Sequence, residues 1–226
     1  MYELVAEATK VLRVPPPEFD FENPPEDPKE IEKNMIEAID RYGGLGLSAN
    51  QCGLPYKMFV MRTADKGVVA FWNPKLLKVS QDTDNMKEGC LSFPDIYLMI
   101  KRSKVIEFEY QDTDGEKLVL TLEGMASRCV QHELDHLNGI LFLQRASRLK
   151  IERAIKARPK EKKKREEYER RMQIARYLAD REQSIADGSS ADAESGSESG
   201  SEDAVSTTDD TQSSDHGRST ESNTVS

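Results

Sequence analysis

Two histidines four residues apart, His132 and His136, bracket a glutamate in the stretch QHELDHLNG at residues 131–139. On a helix that spacing sets both imidazoles on one face about one turn apart, where a single metal ion can take both while Glu133 reaches a water beside it. The histidine census weighs against a helix whose polar residues merely face solvent. Of three histidines in 226 residues, two stand here and the third, His216, lies in a polar C-terminal tail. A catalytic site of this kind needs three protein ligands and one open position. Beyond His136 the chain offers only a charged segment and the tail, so the third ligand is sought upstream.

The chain has three cysteines, Cys52, Cys90 and Cys129. Cys90, in EGCLS at 88–92, follows a glycine at a strand edge, where a thiolate can approach a helix face. As an isolated cysteine it reads first as a small buried hydrophobe. Cys129 is the rival ligand, although three residues before His132 on the same helix it suits the core better. Cys52 has no helical partner. The loop GLGLSANQ at 44–51 is not a phosphate cradle: it follows a helix, lacks the third spaced glycine and has no Lys-Ser/Thr pair. Its glycines suit close approach to an extended peptide, and the Gln51 amide can donate to a developing oxyanion. A turn with an ordinary polar glutamine is the competing reading.

Residues 28–42 place Ile31, Met35, Ile39 and Tyr42 at helical spacing, with Asp27 as N-cap, Pro28 in the first helical position and Gly43-Gly44 to stop it. KMFVM, GVVAFWNP, KLLKVS, KVIEFEYQ and KLVLTLE read as short strands, the last two joined by a hairpin at Asp112–Gly115. A second helix is predicted from about Met125 to Leu137, ending at Gly139, with Met125, Cys129 and Val130 on or near its apolar face. The class is α+β, with strands grouped between two helices.

Charge is partitioned behind the net value of −9: residues 1–144 hold 16 Lys+Arg against 24 Asp+Glu, residues 145–182 hold 15 against 7, and residues 183–226 hold 1 against 10. Three regions follow: a domain at 1–144, a basic charged helix at 145–182 broken at Pro159, and an acidic Ser-rich tail at 183–226 expected to be disordered. An odd cysteine count without an apolar leader points to a reducing cytosol, and no run reaches the roughly 20 apolar residues of a membrane span.

GLGLSANQ, EGCLS and QHELDH, in this order and spacing, resemble the three signature motifs of the peptide deformylases, a likeness covering roughly residues 1–144. The resemblance implies a metal-dependent hydrolase that removes the N-formyl group from the initiator methionine of nascent polypeptides. It implies a compact α+β fold of antiparallel strands around a central metal-binding helix. It makes Cys90, His132 and His136 the metal ligands, Glu133 the catalytic carboxylate, and Gln51 with the Leu91 backbone N–H the oxyanion donors. Leu45 and Gly46 then form the peptide-binding loop, and Leu45, Cys129 and His132 the methionine pocket. Asp135 matches a structural carboxylate for which Arg102 is the candidate partner. The implied metal is Fe²⁺, with Zn²⁺, Ni²⁺ or Co²⁺ able to occupy the same Cys/His₂ set.

Ser48 stands where alanine is usual in that family, a change expected to leave chemistry untouched, and no family contact is transferred to residues before 28. A bacterial-type cytoplasm, including that of a virus-infected host, and a monomer fit the reading. Residues 145–182 carry charge suited to ribosome or rRNA contact, with a solvated charged helix as the plainer reading. Two other functions compete: an HExxH metallopeptidase, which lacks a third ligand after His136, and an idle metal- or ribosome-binding adaptor, which needs neither Glu133 nor Gln51.

Overall fold

A computed structural model describes residues 2–191, which fall into one unit ending at Gln173 and a second beginning at Ile174. Helix α1 spans Pro28–Tyr42. Asp27 caps it, its carboxylate accepting from the Lys29 N–H at 2.9 Å, and Gly43 ends it in the left-handed conformation at φ 68°. Ile31, Met35, Ala38 and Ile39 make its buried face. Seven strands follow: β1 (Gly46–Ser48), β2 (Met58–Thr63), β3 (Gly67–Val79), β4 (Thr83–Cys90), β5 (Phe93–Ser103), β6 (Val105–Gln111) and β7 (Lys117–Glu123). Helix α2 spans Gly124–Leu137 and α3 spans Arg148–Ala191.

Every strand pairing is antiparallel. One sheet has the order β1-β2-β3-β6-β7, and β4-β5 form a separate hairpin. The class is α+β, as the sequence indicates. Apolar side chains from α1 and the first sheet gather around Trp72. Phe59, Phe71 and Phe108 carry the sheet's packing against Cys129, Val130, Leu134 and Leu137 of α2. Phe93, Ile96, Leu98 and Ile100 of β5 close over Leu12, Leu141 and Phe142 in a third cluster. Between Ser127 and Leu137 only Gln131 escapes burial. A helix this polar can be buried only if its histidines and carboxylates find partners inside.

Several local readings are corrected. Gly46–Ser48, read as loop, is an edge strand. The two strands read at 67–74 and 75–80 are one, because Asn73 takes φ 47° and the pairing with β6 shifts register there, so the chain bends without breaking. The β4-β5 hairpin was not foreseen as a unit. Pro159 does not divide the charged helix: it removes one N–H among Lys, Glu and Arg residues that favour helix, and the flanking turns carry on. That helix also runs into the region assigned to the tail, reaching Ala191, since extending an existing helix costs far less than starting one. The rest of the expected disordered tail lies outside the described residues.

Replacing Pro159 by alanine restores the missing hydrogen bond. It should raise amide protection around residues 155–163 by up to about 3 kcal/mol equivalent in native-state hydrogen exchange. Unchanged protection would show that the proline does not weaken the helix.

Candidate active site

Buried α2 presents His132 and His136 on one face, their ring centroids 5.1 Å apart. Cys90 arrives from the end of β4, its Sγ 3.2 Å from His136 Nε2. One potential ligand atom from each of Cys90, His132 and His136 lies within 4.8 Å of the others. Cys129 does not join them: it is 6 % exposed among the residues packing α2 on the sheet, and burial pushes its thiol well up.

Glu88, two residues before Cys90 on β4, holds this arrangement. It is 6 % exposed. Its Oε2 lies 3.1 Å from His132 Nδ1, and its two oxygens accept from Arg102 Nε and Nη2 at 2.7 and 2.9 Å. Arg128 Nη1 donates to it as well. Burial pushes the Glu88 carboxyl up, but the bonds from His132 and Arg102 outweigh it and hold it at about 2. The contact on His132 Nδ1 turns Nε2 toward Cys90, the usual orientation of a ligating histidine. Arg102 continues to Asp135 through a 2.8 Å bond, the pairing expected for that carboxylate. Arg145 closes on the other side of Asp135.

Does the pocket suit a cation? Burial pulls His132 down, yet the bonds to Cys90 and Glu88 hold it at about 10. His136 is lowered well below its ordinary value by burial and by the His132 charge. Glu133, 3 % exposed, is raised to about 7 by burial against the pull of His132 and Ser48. Its Oε2 has no hydrogen-bond partner among the described residues. The Cys90 thiol and the two imidazoles, with the Glu133 carboxylate beside them, make a set of three donors that fits one divalent metal ion.

The glycine loop contributes geometry. A Cβ at Gly46 would stand 2.5 Å from Glu133 Oε1 and 2.7 Å from Cys129 Sγ, so only glycine lets β1 lie this close to α2. Gln51 is 1 % exposed. Its Nε2 lies 3.0 Å from Ser92 Oγ and 3.6 Å from Cys90 Sγ, while Oε1 accepts from the Ser48 N–H and Ser48 Oγ, both at 2.9 Å. The amide is thereby fixed with its NH₂ toward the thiol. Leu91 follows Cys90 in the turn into β5. Leu45, Gly46, Leu91, Cys129, His132 and Glu133 all line one cleft of about 670 Å³.

Sequence reasoning passed over several of these partners. Arg128, one helical turn before His132, donates to Glu88, Asp84 and the Ile100 carbonyl; an arginine inside the apolar stretch of α2 was the available signal. Asn50 Nδ2 donates to the His136 carbonyl at 2.6 Å and ties the glycine loop to α2. Ser48, where the family usually has alanine, donates its hydroxyl to Gln51 Oε1. Nor is the segment before residue 28 remote. Leu4 lines the cleft and the Val5 N–H donates to the Gln51 carbonyl at 2.9 Å.

Thiolate, two imidazoles and a neighbouring carboxylate are the equipment of a single-metal hydrolase. A family model for polypeptide deformylase matches residues 1–152. A peptide deformylase of Thermotoga petrophila is 48% identical over 119 residues, which cover 53% of this chain and 71% of that protein. The crystal structure of peptide deformylase from Thermotoga maritima matches with TM-score 0.60 at 42% identity, covering 65% of this chain and 98% of the other. That of a peptide deformylase from Synechococcus elongatus in complex with actinonin matches with TM-score 0.65 at 29% identity, covering 70% and 88%. The chain belongs to the polypeptide deformylase family.

Two substitutions probe this geometry. Ser48→Ala removes the second donor to Gln51 and the hydroxyl that lowers Glu133. It should lower kcat by about tenfold or less and move the acid limb of kcat/KM to higher pH, because the ionised carboxylate loses a stabilising bond. A limb that stays put or moves down contradicts this. Glu88→Gln weakens the hold on His132 and should lower metal affinity about 10- to 100-fold, measured by competition with a chromogenic chelator.

Proposed function

We propose that this chain removes the N-formyl group from the initiator methionine of nascent polypeptides and releases formate. The observation that carries the reading is the unpartnered Glu133 carboxylate oxygen beside the Cys90, His132 and His136 donors. Those three would hold one divalent ion, Fe²⁺ in this reading, with Zn²⁺, Ni²⁺ or Co²⁺ able to replace it. Such an ion, when bound, supplies Lewis acidity that acidifies water and polarises a carbonyl.

The rest of the chemistry belongs to side chains of the chain itself. Glu133, raised to about 7 by burial, is poised to take a proton from water at the formyl carbon and to hand it to the departing amine. Gln51 Nε2 and the Leu91 N–H donate to the formyl oxygen as charge gathers there, and losing one such donor costs about 10²–10³ in rate. Among the described residues strand β1 pairs on one side only, with β2, so its other edge can take the substrate as an added antiparallel or parallel strand at Leu45 and Gly46. In this reading the methionine side chain lies against Leu45, Cys129 and His132, which all line the cleft.

In the same reading residues 1–144 hold the catalytic site and the protein works as a monomer in a bacterial-type cytoplasm; among the described residues no helix is long and apolar enough to cross a membrane. Residues 145–182 supply a contact to ribosomal RNA. Arg153, Lys156, Lys160 and Lys163 of α3 have no ion-pair partner among the described residues and match phosphate chemistry. Reversing the charge of these four should release the protein from ribosomes at low salt, and co-sedimentation equal to that of the unaltered chain would remove the contact from the reading.

Formate release from a formyl-Met tripeptide, assayed anaerobically with Fe²⁺, tests the activity. Glu133→Ala should lose at least about 10² in kcat while still binding one metal ion. Cys90→Ala should lose both activity and the metal. Full activity in Glu133→Ala would exclude the proton-transfer role.

A further inference from the structure

The cleft does not end at the glycine loop. From Cys90 and His132 it runs outward past Lys87 and Tyr97 to Arg165 and Glu169 on α3. Both of these stand beyond residue 152, where the family match stops. One wall of the substrate cleft is therefore supplied by sequence that the family pattern does not describe.

Polar contacts hold that wall in place. Glu161, Arg165 and Glu169 recur every four residues and share one face of α3 with Arg158. Arg158 Nε donates to the Pro94 carbonyl at 3.0 Å and its Nη2 pairs with Glu7 at 2.8 Å. Arg165 grips both oxygens of Asp95, at 2.7 and 3.2 Å, and the Asp95 side chain is only 4% exposed. Asp95 has φ 65°, in the left-handed region that Asp enters more readily than most residues, and the guanidinium holds its side chain there. Lys87 lies 4.2 Å above the Tyr97 ring and 3.9 Å from Glu161. Tyr97 in turn presses on Gly89, where a Cβ would come 2.8 Å from its Cε1. Gly89 directly precedes Cys90, so α3 is tied to the hairpin that carries the thiol and Leu91.

The chemistry left over at this wall is that of a donor. Three of the five N–H groups of Arg165 are engaged, two by Asp95 and one by Glu169, which leaves two without a partner among the described residues. Asp95 and Glu169 share the single Arg165 guanidinium, so the further positive charge at this rim comes from Lys87, while Glu161 pairs with Lys164 at 2.7 Å. The ion pair of Lys87 with Glu161 is long, at 3.9 Å, and 60% of the lysine side chain is exposed.

We propose that Arg165, with Lys87, is a specificity-determining site that reads the nascent chain downstream of the formyl-methionine and favours an acidic side chain there over a basic one. This rests on the deformylase reading. A cleft of about 670 Å³ falls in the range that holds a drug-sized ligand, so a formyl-methionine at its inner end leaves room for residues that follow. An extended chain gains about 3.3 Å per residue, so a longer peptide can run along the cleft toward the α3 residues that line it.

Steady-state kinetics on the full metal-loaded chain tests this with three substrates: formyl-Met-Ala, and two longer formyl-Met peptides that differ only in carrying Glu or Lys at their fourth and fifth positions. The Glu peptide should be favoured in kcat/KM by about three- to fivefold, the range of an exposed charge pair, with the difference in KM. High salt should bring the ratio toward one. Arg165→Gln should also abolish the ratio, while Arg165→Lys, which keeps the charge and loses the fork, should retain most of it. Formyl-Met-Ala is too short to reach α3 and reports the state of the hairpin separately. Equal rates for the two longer peptides in the unaltered protein overturn the proposal. So does an Arg165→Gln variant that slows all three substrates by one common factor, for then Arg165 only positions the hairpin. Absence of formate release from every substrate is a different result: it removes the deformylase reading, and the specificity site with it.

Discussion

Burial of the Glu88 charge is the constraint on which the rest of the structure depends. A carboxylate taken out of water is tolerated only when it is paired and hydrogen-bonded. Here the partners are Arg102, Arg128 and His132, drawn from β5 and from α2. Satisfying that single charge locks the β4-β5 hairpin to α2, and with it the Cys90 thiol to the two imidazoles. Asp135 extends the same logic to the far side of Arg102, where Arg145 anchors the chain leaving α2. Breaking such a buried pair from one side typically costs about 3–5 kcal/mol, so the network that orients the site is also one on which folding depends.

Two backbone devices finish what the charges begin. Gly46 lets an edge strand lie against Glu133 with no side chain between them, and Asn50 fastens the turn after that strand to the last turn of α2. Gln51 then has no freedom left: Ser48 holds its carbonyl end and Ser92 meets its amide end. Polar groups held in fixed positions are what electrostatic stabilisation of a transition state requires. The outer cleft is built differently. Its α3 wall is attached through ion pairs that remain partly wet, such as Arg165 with Asp95 and Arg158 with Glu7, and it therefore responds to salt in a way the inner site does not.

Much of the inner site is legible in the sequence because its parts are local. His132, Glu133 and His136 stand at helical spacing inside a segment with a helical pattern, and α1 announces itself through Asp27, Pro28 and Gly43. The β4-β5 hairpin was not legible. TDNMKEGC has little β-propensity, and among its eight residues only Glu88 is fully buried, so no alternation of apolar residues marks it. β5 does alternate, burying Ile96, Leu98, Ile100 and Arg102, but exposed Tyr97 and Met99 on the opposite face turn the pattern into a continuous apolar run. The partners of Glu88 lie 14 to 44 residues away along the chain, and no local rule pairs them. The α3 wall was hidden for a similar reason: its face is defined by ionic contacts with β5 and the N-terminal segment rather than by an apolar stripe.

The central claim is that Cys90, His132 and His136 together hold one metal ion. X-ray absorption at the metal edge of the loaded full-length protein measures that coordination directly. With Zn²⁺ the account predicts one sulfur at about 2.3 Å and two imidazole nitrogens at about 2.0–2.1 Å, with the sulfur lost in Cys90→Ser. Two sulfurs in the unaltered protein, or a sulfur that persists after that substitution, would contradict it and return Cys129 to the ligand set.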